Sequence, residues 1–444
     1  MLSNVNTVNF IKNINSTHSV ENLTSNNQCG RFPQIFDLNI SDISWQVTNT
    51  SNGTFYLFNA YYDDRKDLEN GTVVRILAFI NKINPQIKTF CQMWFENFTE
   101  PDMIEVYEYR MAWRYNWGNN TDGTTPYLLS CKIPQNKTGL VPQFVSFTEN
   151  RCDAANNLFK VKNKRPKNGR KKLFLVSVKQ FDFDDDISMQ IIEWFEILKI
   201  FGVDQVEIFI IKAHKNVKKI LQFYQTEKFV TVKFMNFPHE NPNKFNESIL
   251  QFMQNDQIPY HDSLYENLYM YEYIIPMDVD EFIIPIKTED RTWEDLIKRT
   301  ISSVNDKNFE IFPVTNRFFL LNNSHENETY EGIPKNLLFL SNIYRVSNIT
   351  INSGTKTFMQ IDRILIIHNH FPLSCIKSEW CKRLDIKLED GQLSHYRKSC
   401  NNRECVESRM NPVKDTTLWK YKNEILKNVN ETLENLKSFK SDID

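Results

Sequence analysis

Short runs of aromatic and β-branched residues dominate residues 45–155, and polar turns separate them. The runs include TFYLFNAYY at 54–62, TVVRILAFI at 72–80 and YLLSCKI at 127–133. Turns rich in Gly, Asn and Asp connect them, such as DDRKDLENG at 63–71. Runs of this length with turns of this composition are typical of a β-sandwich. We therefore predict a β-rich, sandwich-like domain over residues 45–155.

From residue 172 onward the pattern changes to strands that alternate with helices. We predict strands at 172–178, 205–211 and 229–235, and helices at 188–201, 216–225 and 262–273. The first of these helices has apolar residues at 3.6-residue spacing and ends before Gly202. Repeated strand–helix units imply a mainly parallel sheet with flanking helices, and ligands of such sheets bind beyond the carboxyl ends of the strands.

The composition between and around these patterns suggests the domain boundaries. The segment KVKNKRPKNGRKK at 160–172 is basic, contains Pro and Gly, and is typical of a solvated linker, although a phosphate-binding patch would also be basic. The predicted parts are a polar, disordered stem (1–44), the β-rich domain (45–155), a basic linker (156–171), an α/β domain (172–410) and a C-terminal helical tail (411–444).

An acidic centre interrupts the apolar segment YIIPMDVDEFIIPI at 273–286. Ionised carboxylates inside an otherwise buried strand are costly unless something neutralises them. Asp278 and Asp280 are separated by one residue, so an extended backbone would point both side chains to one side, about 6–7 Å apart. Such a pair can bind Mn²⁺ or Mg²⁺ and leave coordination positions open for phosphate oxygens. We therefore predict a metal site here.

Eight cysteines form two groups with none between them: Cys29, Cys91, Cys131 and Cys152, then Cys375, Cys381, Cys400 and Cys405. No Cys-x-x-Cys pair exists, so a zinc ribbon or a thioredoxin-like site is not indicated. Two even groups suit structural disulfides in an oxidising compartment, and free thiols are the alternative. Three pairings are possible within each group. Our predicted pairs are Cys91–Cys131, Cys375–Cys381 and Cys400–Cys405.

The chain also has fourteen Asn-x-Ser/Thr sequons, whereas chance predicts roughly 6 for this composition. They begin at Asn15, Asn22, Asn39, Asn49, Asn52, Asn70, Asn97, Asn119, Asn136, Asn246, Asn322, Asn327, Asn348 and Asn430. This excess predicts passage through the secretory pathway. The first 30 residues are polar and contain no run of about 20 apolar residues, so we expect either the lumenal part of a longer protein or a different start.

Length and charge limit the remaining possibilities. A chain of 444 residues can form two domains, each with its own core. The 53 basic and 55 acidic residues give a net charge of −2, which provides no global field for nucleic acid or an anionic membrane surface. Small ligands therefore fit the composition better than nucleic acid.

The segment MDVDEFIIP at 277–285 resembles the Asp-x-Asp-Glu-Phe-Ile-x-Pro hallmark of glycosyltransferase family 92. Further segments are similar to blocks of that family in the expected order: AYYDDR (60–65), LLSCKIP (128–134), EWFEILKIFGVDQVEIF (193–209), GTKTFMQIDRILIIH (354–368) and LSHYR (393–397). The resemblance implies a GT-A type nucleotide-sugar-binding fold and an inverting, Mn²⁺-assisted transfer, commonly of galactose from UDP-galactose to fucose on N-glycans or a similar acceptor. It also implies a Golgi membrane protein, although this sequence shows no anchor.

Asp278 and Asp280 are the first predicted metal ligands, and a later histidine often completes the site in GT-A enzymes. We favour His395 because the adjacent Arg397 could pair with the same diphosphate. His368 is the second candidate, and we otherwise expect it to support the strand end or the acceptor side. If His395 is a ligand, its ring nitrogen should lie within roughly 5 Å of the Asp280 carboxylate.

Other side chains are candidates for binding the donor. Lys356 and Arg397, together with Asp278, could interact with the diphosphate and its metal ion. Asp182 follows the first strand of the α/β domain and could accept a hydrogen bond from uridine. The alternative is that Asp182 belongs to an acidic loop before the next helix.

The base that takes the proton of the acceptor hydroxyl should be a carboxylate, and the sequence offers Glu281 or Asp262 without choosing between them. Glu281 could instead point away and bind backbone. Two other functions are compatible with the pattern: a catalytically inactive glycan-binding homologue and a metal-dependent phosphohydrolase. The latter usually needs further ligands close in sequence, and none flank the acidic centre.

Overall fold

The computed structural model describes residues 29–118, 123–238, 249–321, 325, 328–347, 355–398 and 412–439. The chain divides into two compact units. The β unit comprises Met1–Arg165 and Phe234–Leu268, and the α/β unit comprises Pro166–Lys233 and Tyr269–Asp444. The segment Phe234–Leu268 lies within the range predicted as one α/β domain, yet its contacts are with the β unit.

The strands are β1 Gln46–Thr50, β2 Gly53–Asp63, β3 Val73–Ile80, β4 Phe90–Trp94, β5 Asp102–Glu105, β6 Glu108–Met111, β7 Thr125–Lys132, β8 Phe144–Thr148, β9 Phe159–Lys162, β10 Lys172–Asp182, β11 Gln205–Lys212, β12 Val230–Phe234, β13 Tyr271–Pro276, β14 Glu281–Pro285, β15 Ile311–Val314, β16 Asn316–Leu320, β17 Tyr344–Arg345, β18 Lys356–Gln360, β19 Ile364–Ile366, β20 Ser374–Cys375, β21 Gly391–Arg397 and β22 Val413–Lys414.

The α-helices are α1 Ser188–Ile200, α2 Lys215–Thr226, α3 Ile249–Asn255, α4 Gln257–Glu266, α5 Trp293–Ser302, α6 Leu338–Ser341 and α7 Lys422–Ser438. None of these helices, in the part of the chain that the structure describes, is long and apolar enough to cross a membrane.

The described residues of the β unit form a nine-stranded sheet in the order β5-β4-β8-β9-β2-β3-β7-β6, with β1 paired to β2. Cys91 in β4 and Cys131 in β7 form a disulfide although four strands lie between them in this order. The sheet must therefore curl until its two ends face each other. We predicted a sandwich, and the structure has a single curled sheet instead. Alternation of apolar and polar residues fits both, because each has one buried face and one exposed face.

Three disulfides join cysteines of the described residues. The predicted pairs Cys91–Cys131 and Cys375–Cys381 are confirmed. A third bond, Cys29–Cys152, also stays within the first group of cysteines, whereas Cys400–Cys405 lies outside the described residues.

Two predicted boundaries of the β unit differ from the structure. Residues 29–44, predicted as part of a disordered stem, are tied down by the Cys29–Cys152 bond and by Phe32, whose ring lies 5.0 Å from that of Trp94. The predicted linker 156–171 contains strand β9, which pairs with β8 and β2. Phe159 and Val161 are buried in this strand. We missed the strand because the residues after Val161 are basic and gave the segment the composition of a linker.

The α/β unit is built on a six-stranded sheet in the order β12-β11-β10-β13-β18-β15. Strands β10, β11 and β13 are parallel, and β18 is antiparallel to both β13 and β15. A second sheet has the order β14-β21-β16-β17-β22. Strands β10, β11 and β12 and helices α1 and α2 were predicted to within a few residues at each end. The sheet is mixed, however, rather than mainly parallel as predicted.

One predicted helix of the α/β domain ends too late. Helix α4 stops at Glu266, and strand β13 begins at Tyr271, although we predicted a helix over 262–273. Asn267 ends the helix with a backbone hydrogen bond to Leu264, and the following residues pair with β10. Pairing with a buried neighbouring strand thus outweighs the local helical pattern.

Candidate functional site

The acidic centre is a tight turn that connects the two sheets of the α/β unit. Strand β13 belongs to the first sheet and β14 to the second, and the Glu281 N–H donates to the Asp278 carbonyl at 3.3 Å. Helix α1 holds this turn, because Gln190 Nε2 donates to Val279 O at 2.9 Å and Trp194 Nε1 donates to Glu281 O at 2.7 Å. The prediction of an extended backbone at Asp278 and Asp280 is therefore wrong, because a turn positions their carboxylates.

Two lysines flank Asp278. Lys179 Nζ lies 3.4 Å from one carboxylate oxygen, and Lys356 Nζ lies 3.5 Å from the other. Burial raises the pKa of Asp278, but the positive charges of Lys356 and Lys179 outweigh this effect and hold the pKa below its usual range. Asp278 is thus ionised, and cations of the protein itself balance its charge.

Glu281 and Lys356 form a closer pair, with 2.7 Å between Oε1 and Nζ, and each side chain is only 1% exposed. Glu281 Oε1 also accepts the Asp278 N–H at 2.9 Å, and Lys356 donates to Asn369 Oδ1. Burial raises the pKa of Glu281, although the charges of Lys356 and His395 oppose this rise. Lys356, predicted to contact the diphosphate, is enclosed by these partners.

His395 connects the pair to Asp280. It lies opposite Glu281 in the antiparallel pairing of β14 with β21. Its Nδ1 is 3.3 Å from Glu281 Oε2, and its Nε2 is 3.5 Å from Asp280 Oδ2. The distance between His395 Nε2 and the Asp280 carboxylate is thus within the roughly 5 Å predicted for two residues that share a metal ion. Arg397 Nε also donates to His395 Nε2 at 3.2 Å, so the predicted donor-binding arginine lies beside this nitrogen.

Asp280 and His395 alone fit a divalent cation better than the four predicted ligands Asp278, Asp280, His395 and His368 together. Asp280 is 37% exposed, and His395 Nε2 faces it. Among the described residues, no three ligand atoms of the acidic turn lie within 4.8 Å of one another. Glu310, Cys375 and Cys381 do meet this distance, but the two cysteines are bonded to each other in a disulfide. A cation on two protein ligands would have coordination positions left for phosphate oxygens and water.

A family comparison covers this whole site. The model for glycosyltransferase family 92 matches residues 172–434, which is more than half of the chain. The chain belongs to glycosyltransferase family 92. The matched segment contains the acidic turn and His395. No curated protein matches the chain.

The other candidate histidine of the family 92 domain has a different setting. His368 follows β19, and its ring lies 5.5 Å from that of Phe371. Its neighbour His370 contacts the Thr355 carbonyl through Nδ1 at 2.9 Å, and burial together with the charge of Lys356 lowers the pKa of His370 to about 4. The structure thus brings His395 to within 3.5 Å of Asp280. The ligand role of either histidine stays a prediction.

Asp182 ends strand β10 and lies opposite Lys212 of β11. Since β10 and β13 are parallel, Asp182 lies at the same edge of the sheet as Asp278, as a nucleotide-binding residue would. Its predicted contact with uridine stays a prediction.

Asp262 lies within the range matched by the family 92 model, on helix α4, which belongs to the β unit. Its carboxylate accepts from Asn59 Nδ2 at 2.7 Å and from Tyr61 OH, and Lys162 Nζ lies 3.3 Å away. Asp262 is 1% exposed, as is Glu281. Both predicted bases are therefore buried, hydrogen-bonded carboxylates, and the role of general base stays a prediction for each.

Sequence reasoning missed three residues of the site: Lys179, Asn316 and Asn369. Lys179 directly follows the predicted strand 172–178, so the rule that ligands bind beyond the carboxyl ends of strands could have found it. Asn369 lies between two histidines, which gave a weak signal. Asn316 contacts His395 Nδ1 at 3.3 Å, and nothing in its sequence neighbourhood indicates this contact.

Proposed function

We propose that this family 92 member is a metal-dependent glycosyltransferase of the GT-A type. It transfers galactose from UDP-galactose to a glycan such as fucose on an N-glycan, with inversion at the anomeric carbon. The observation that supports this most is the arrangement of Asp280 and His395. Asp280 lies in the turn beyond the carboxyl end of the parallel strand β13, and its carboxylate is 3.5 Å from His395 of β21. Nucleotide ligands bind beyond the carboxyl ends of such strands.

In this reaction the acceptor hydroxyl oxygen bonds to the anomeric carbon on the face opposite the diphosphate. The bond between that carbon and the phosphate oxygen breaks, and UDP leaves with the electron pair. The hydroxyl proton passes to a base. Charge therefore develops on the departing diphosphate, and that is where a transferase must supply positive groups.

The chain has cations near this position. Lys179 is 31% exposed and pairs with Asp278 at 3.4 Å, so its ammonium group can reach a phosphate oxygen. Arg397 is exposed at the end of β21, and its guanidinium can make two parallel hydrogen bonds with phosphate. Asp280 and His395 would hold Mn²⁺. When bound, the ion neutralises charge on the leaving diphosphate.

We also propose that the protein works in the Golgi lumen, in association with the membrane as the family resemblance implies. Three disulfides support an oxidising compartment. Exposed sequon asparagines include Asn70, Asn97, Asn136 and Asn430. By contrast the asparagines Asn157, Asn255, Asn267 and Asn316 are buried, and none of them is in a sequon. Glycans could therefore be attached at these four sequons without unfolding.

A screen of UDP-sugars with a fucosylated N-glycan, with Mn²⁺ or with EDTA, tests the proposal. We expect release of UDP and a glycan mass increase of one hexose with UDP-galactose and Mn²⁺, and loss of both with EDTA. Activity that persists in EDTA would contradict the metal requirement. Binding of the glycan without turnover of any UDP-sugar would indicate the inactive glycan-binding homologue instead.

A further inference from the structure

We infer that Glu281 is a positioning residue for His395 rather than the general base. With Lys356 it fixes the imidazole so that Nε2 carries the lone pair and faces Asp280. The inference rests on the proposed function, because it concerns how the chain prepares His395 to bind Mn²⁺.

The contacts of Glu281 leave it little capacity for an acceptor sugar. Oε1 accepts from Lys356 Nζ at 2.7 Å and from the Asp278 N–H at 2.9 Å, while Oε2 lies 3.3 Å from His395 Nδ1. The side chain is 1% exposed. A general base must come within hydrogen-bonding distance of the proton that it removes. Glu281 is held away from any acceptor by the residues around it.

The neighbours of His395 determine which nitrogen carries the proton. Arg397 Nε donates to His395 Nε2 at 3.2 Å, and an arginine cannot accept a hydrogen bond, so Nε2 must hold a lone pair. The proton of a neutral imidazole is then on Nδ1, which faces Glu281 Oε2. A histidine that binds a metal ion usually donates its other N–H to a carboxylate in this way.

The Asn316 amide agrees with this tautomer once it is rotated by half a turn. Its amide nitrogen is 3.3 Å from His395 Nδ1, while its amide oxygen is buried without a hydrogen-bond partner among the described residues. Rotating this amide by half a turn would place the oxygen beside Nδ1–H. The rotated amide oxygen would share the Nδ1 proton with Glu281 Oε2 and would then have a partner.

Lys356 makes this arrangement possible. A buried carboxylate needs a cation nearby, and Lys356 Nζ is directed at Glu281, Asp278 and Asn369. Three acceptors match the three N–H bonds of an ammonium group. Lys356 therefore belongs to the support of the site and neutralises Glu281 without contacting the donor.

The sheet pairing fixes the distance between Glu281 and His395. The two residues are direct partners in the antiparallel pair of β14 and β21, and directly opposed side chains lie about 5 Å apart at Cβ. Because Arg397 donates to the same Nε2 that would bind the ion, a metal ion must displace that N–H. The released guanidinium is then available to the diphosphate.

Binding of Mn²⁺ to Glu281→Gln, measured from the EPR signal of free Mn²⁺, tests the inference without relying on activity. Glutamine keeps the volume of the side chain and removes the charge that orients the imidazole. We expect Mn²⁺ affinity to fall by about 10–100-fold. The matched control is Glu207→Gln, another buried glutamate paired with a lysine, at 3.1 Å from Lys233. The control should bind Mn²⁺ like the wild type.

The outcomes separate this inference from the proposed function. If the wild type binds no Mn²⁺, the proposed metal site fails. If the wild type binds Mn²⁺ and Glu281→Gln binds it equally well but loses turnover, Glu281 is the base and the inference is overturned.

A second measurement needs no Glu281 variant. ¹⁵N NMR of the wild type, with His395 assigned by the loss of its signals in His395→Gln, should show the proton on Nδ1. A proton on Nε2 would overturn the inference even if Glu281→Gln does not fold.

Discussion

Two carboxylates, one in each unit, are each paired with two cations, and the pairs differ in geometry. Asp63 of the β unit is fully buried and bonded to Arg65 and Arg75, with 2.8 Å contacts to both guanidinium groups. Asp278 of the α/β unit is 23% exposed, and its two lysines lie 3.4 and 3.5 Å away. In both cases burial raises the pKa of the carboxyl group, but the adjacent cations outweigh this effect and hold the pKa below its usual range.

This difference in geometry distinguishes a structural ion cluster at Asp63 from a cluster at Asp278 whose cations can be exchanged for a ligand. Guanidinium groups present a planar fork that saturates both oxygens of Asp63, so no ligand can enter without unfolding. Ammonium groups are point charges, and those of Lys179 and Lys356 hold Asp278 at longer distances. A carboxylate with loosely bound cations can exchange them for a metal ion or a ligand. The proposed site is therefore at Asp278–Glu281 and not at Asp63.

Removing each carboxylate should give the largest contrast. Asp63→Asn leaves two buried guanidinium groups without a counter-charge, and we expect the free energy of unfolding to fall by about 3–5 kcal/mol. Asp278→Asn leaves Lys356 paired with Glu281 and Lys179 partly exposed, so we expect a loss of about 1 kcal/mol or less. Urea unfolding followed by fluorescence measures both.

Asp64→Asn is the matched control for Asp63→Asn, because Asp64 forms a more exposed pair with Arg165 at 2.8 Å and should contribute about 0–1 kcal/mol. Equal losses for Asp63→Asn and Asp278→Asn would remove the distinction between the two clusters.

Asp280→Asn should affect activity and leave stability unchanged. The substitution removes the charge of the proposed ligand without changing side-chain volume, so we expect turnover with saturating Mn²⁺ to fall more than about tenfold. The midpoint of thermal unfolding should stay within a few degrees of the wild type. A variant that keeps more than a tenth of the wild-type rate would argue against direct contact between Asp280 and the metal ion.

Substitutions of His395 and His368 should differ in their effect on the Mn²⁺ requirement. His395→Gln removes the nitrogen that faces Asp280, and we expect the Mn²⁺ concentration for half-maximal turnover to rise at least about tenfold. His368→Gln should change this concentration by less than about threefold, since His368 packs beside Phe371. The reverse order of effects would move the metal site to the loop after β19.

The pH dependence of stability should show a smaller effect in the β unit. Burial lowers the pKa of His261 to about 4, although its hydrogen bond to the Gln257 carbonyl opposes this shift. The unfolded chain then binds more protons than the folded one between pH 4 and about 6.5. Stability should fall as the pH falls through this window, by at most about 1.4 kcal/mol per pH unit for this residue. Urea unfolding at several pH values, with His261→Gln giving a shallower slope, checks this.

Much of the fold could be predicted because its signals are local. The alternation of strands and helices from β10 to β12 follows from apolar periodicity. The grouping of the cysteines predicts that disulfides form within each group, as they do, but it leaves three pairings open in each. The curl of the β sheet and the return of Phe234–Leu268 to the β unit depend on contacts between residues distant in sequence. Local patterns do not contain that information.

The candidate site shows the same limit. Carboxylates between two apolar half-strands located the turn, because buried charge needs a partner. Which partners neutralise them could not be predicted, since Lys179 and Lys356 come from other strands of the sheet. The burial of Glu281 also depends on the pairing of β14 with β21, which brings His395 from more than 100 residues away.

The central claim is that Asp280 and His395 hold one metal ion. Anomalous scattering from crystals of the protein grown with Mn²⁺ tests it most directly. We predict one peak between the Asp280 carboxylate and His395 Nε2, about 2.0–2.3 Å from both, with Arg397 moved off the imidazole. A peak bound to His368 or His370, or none within reach of Asp280 at saturating Mn²⁺, would contradict the claim.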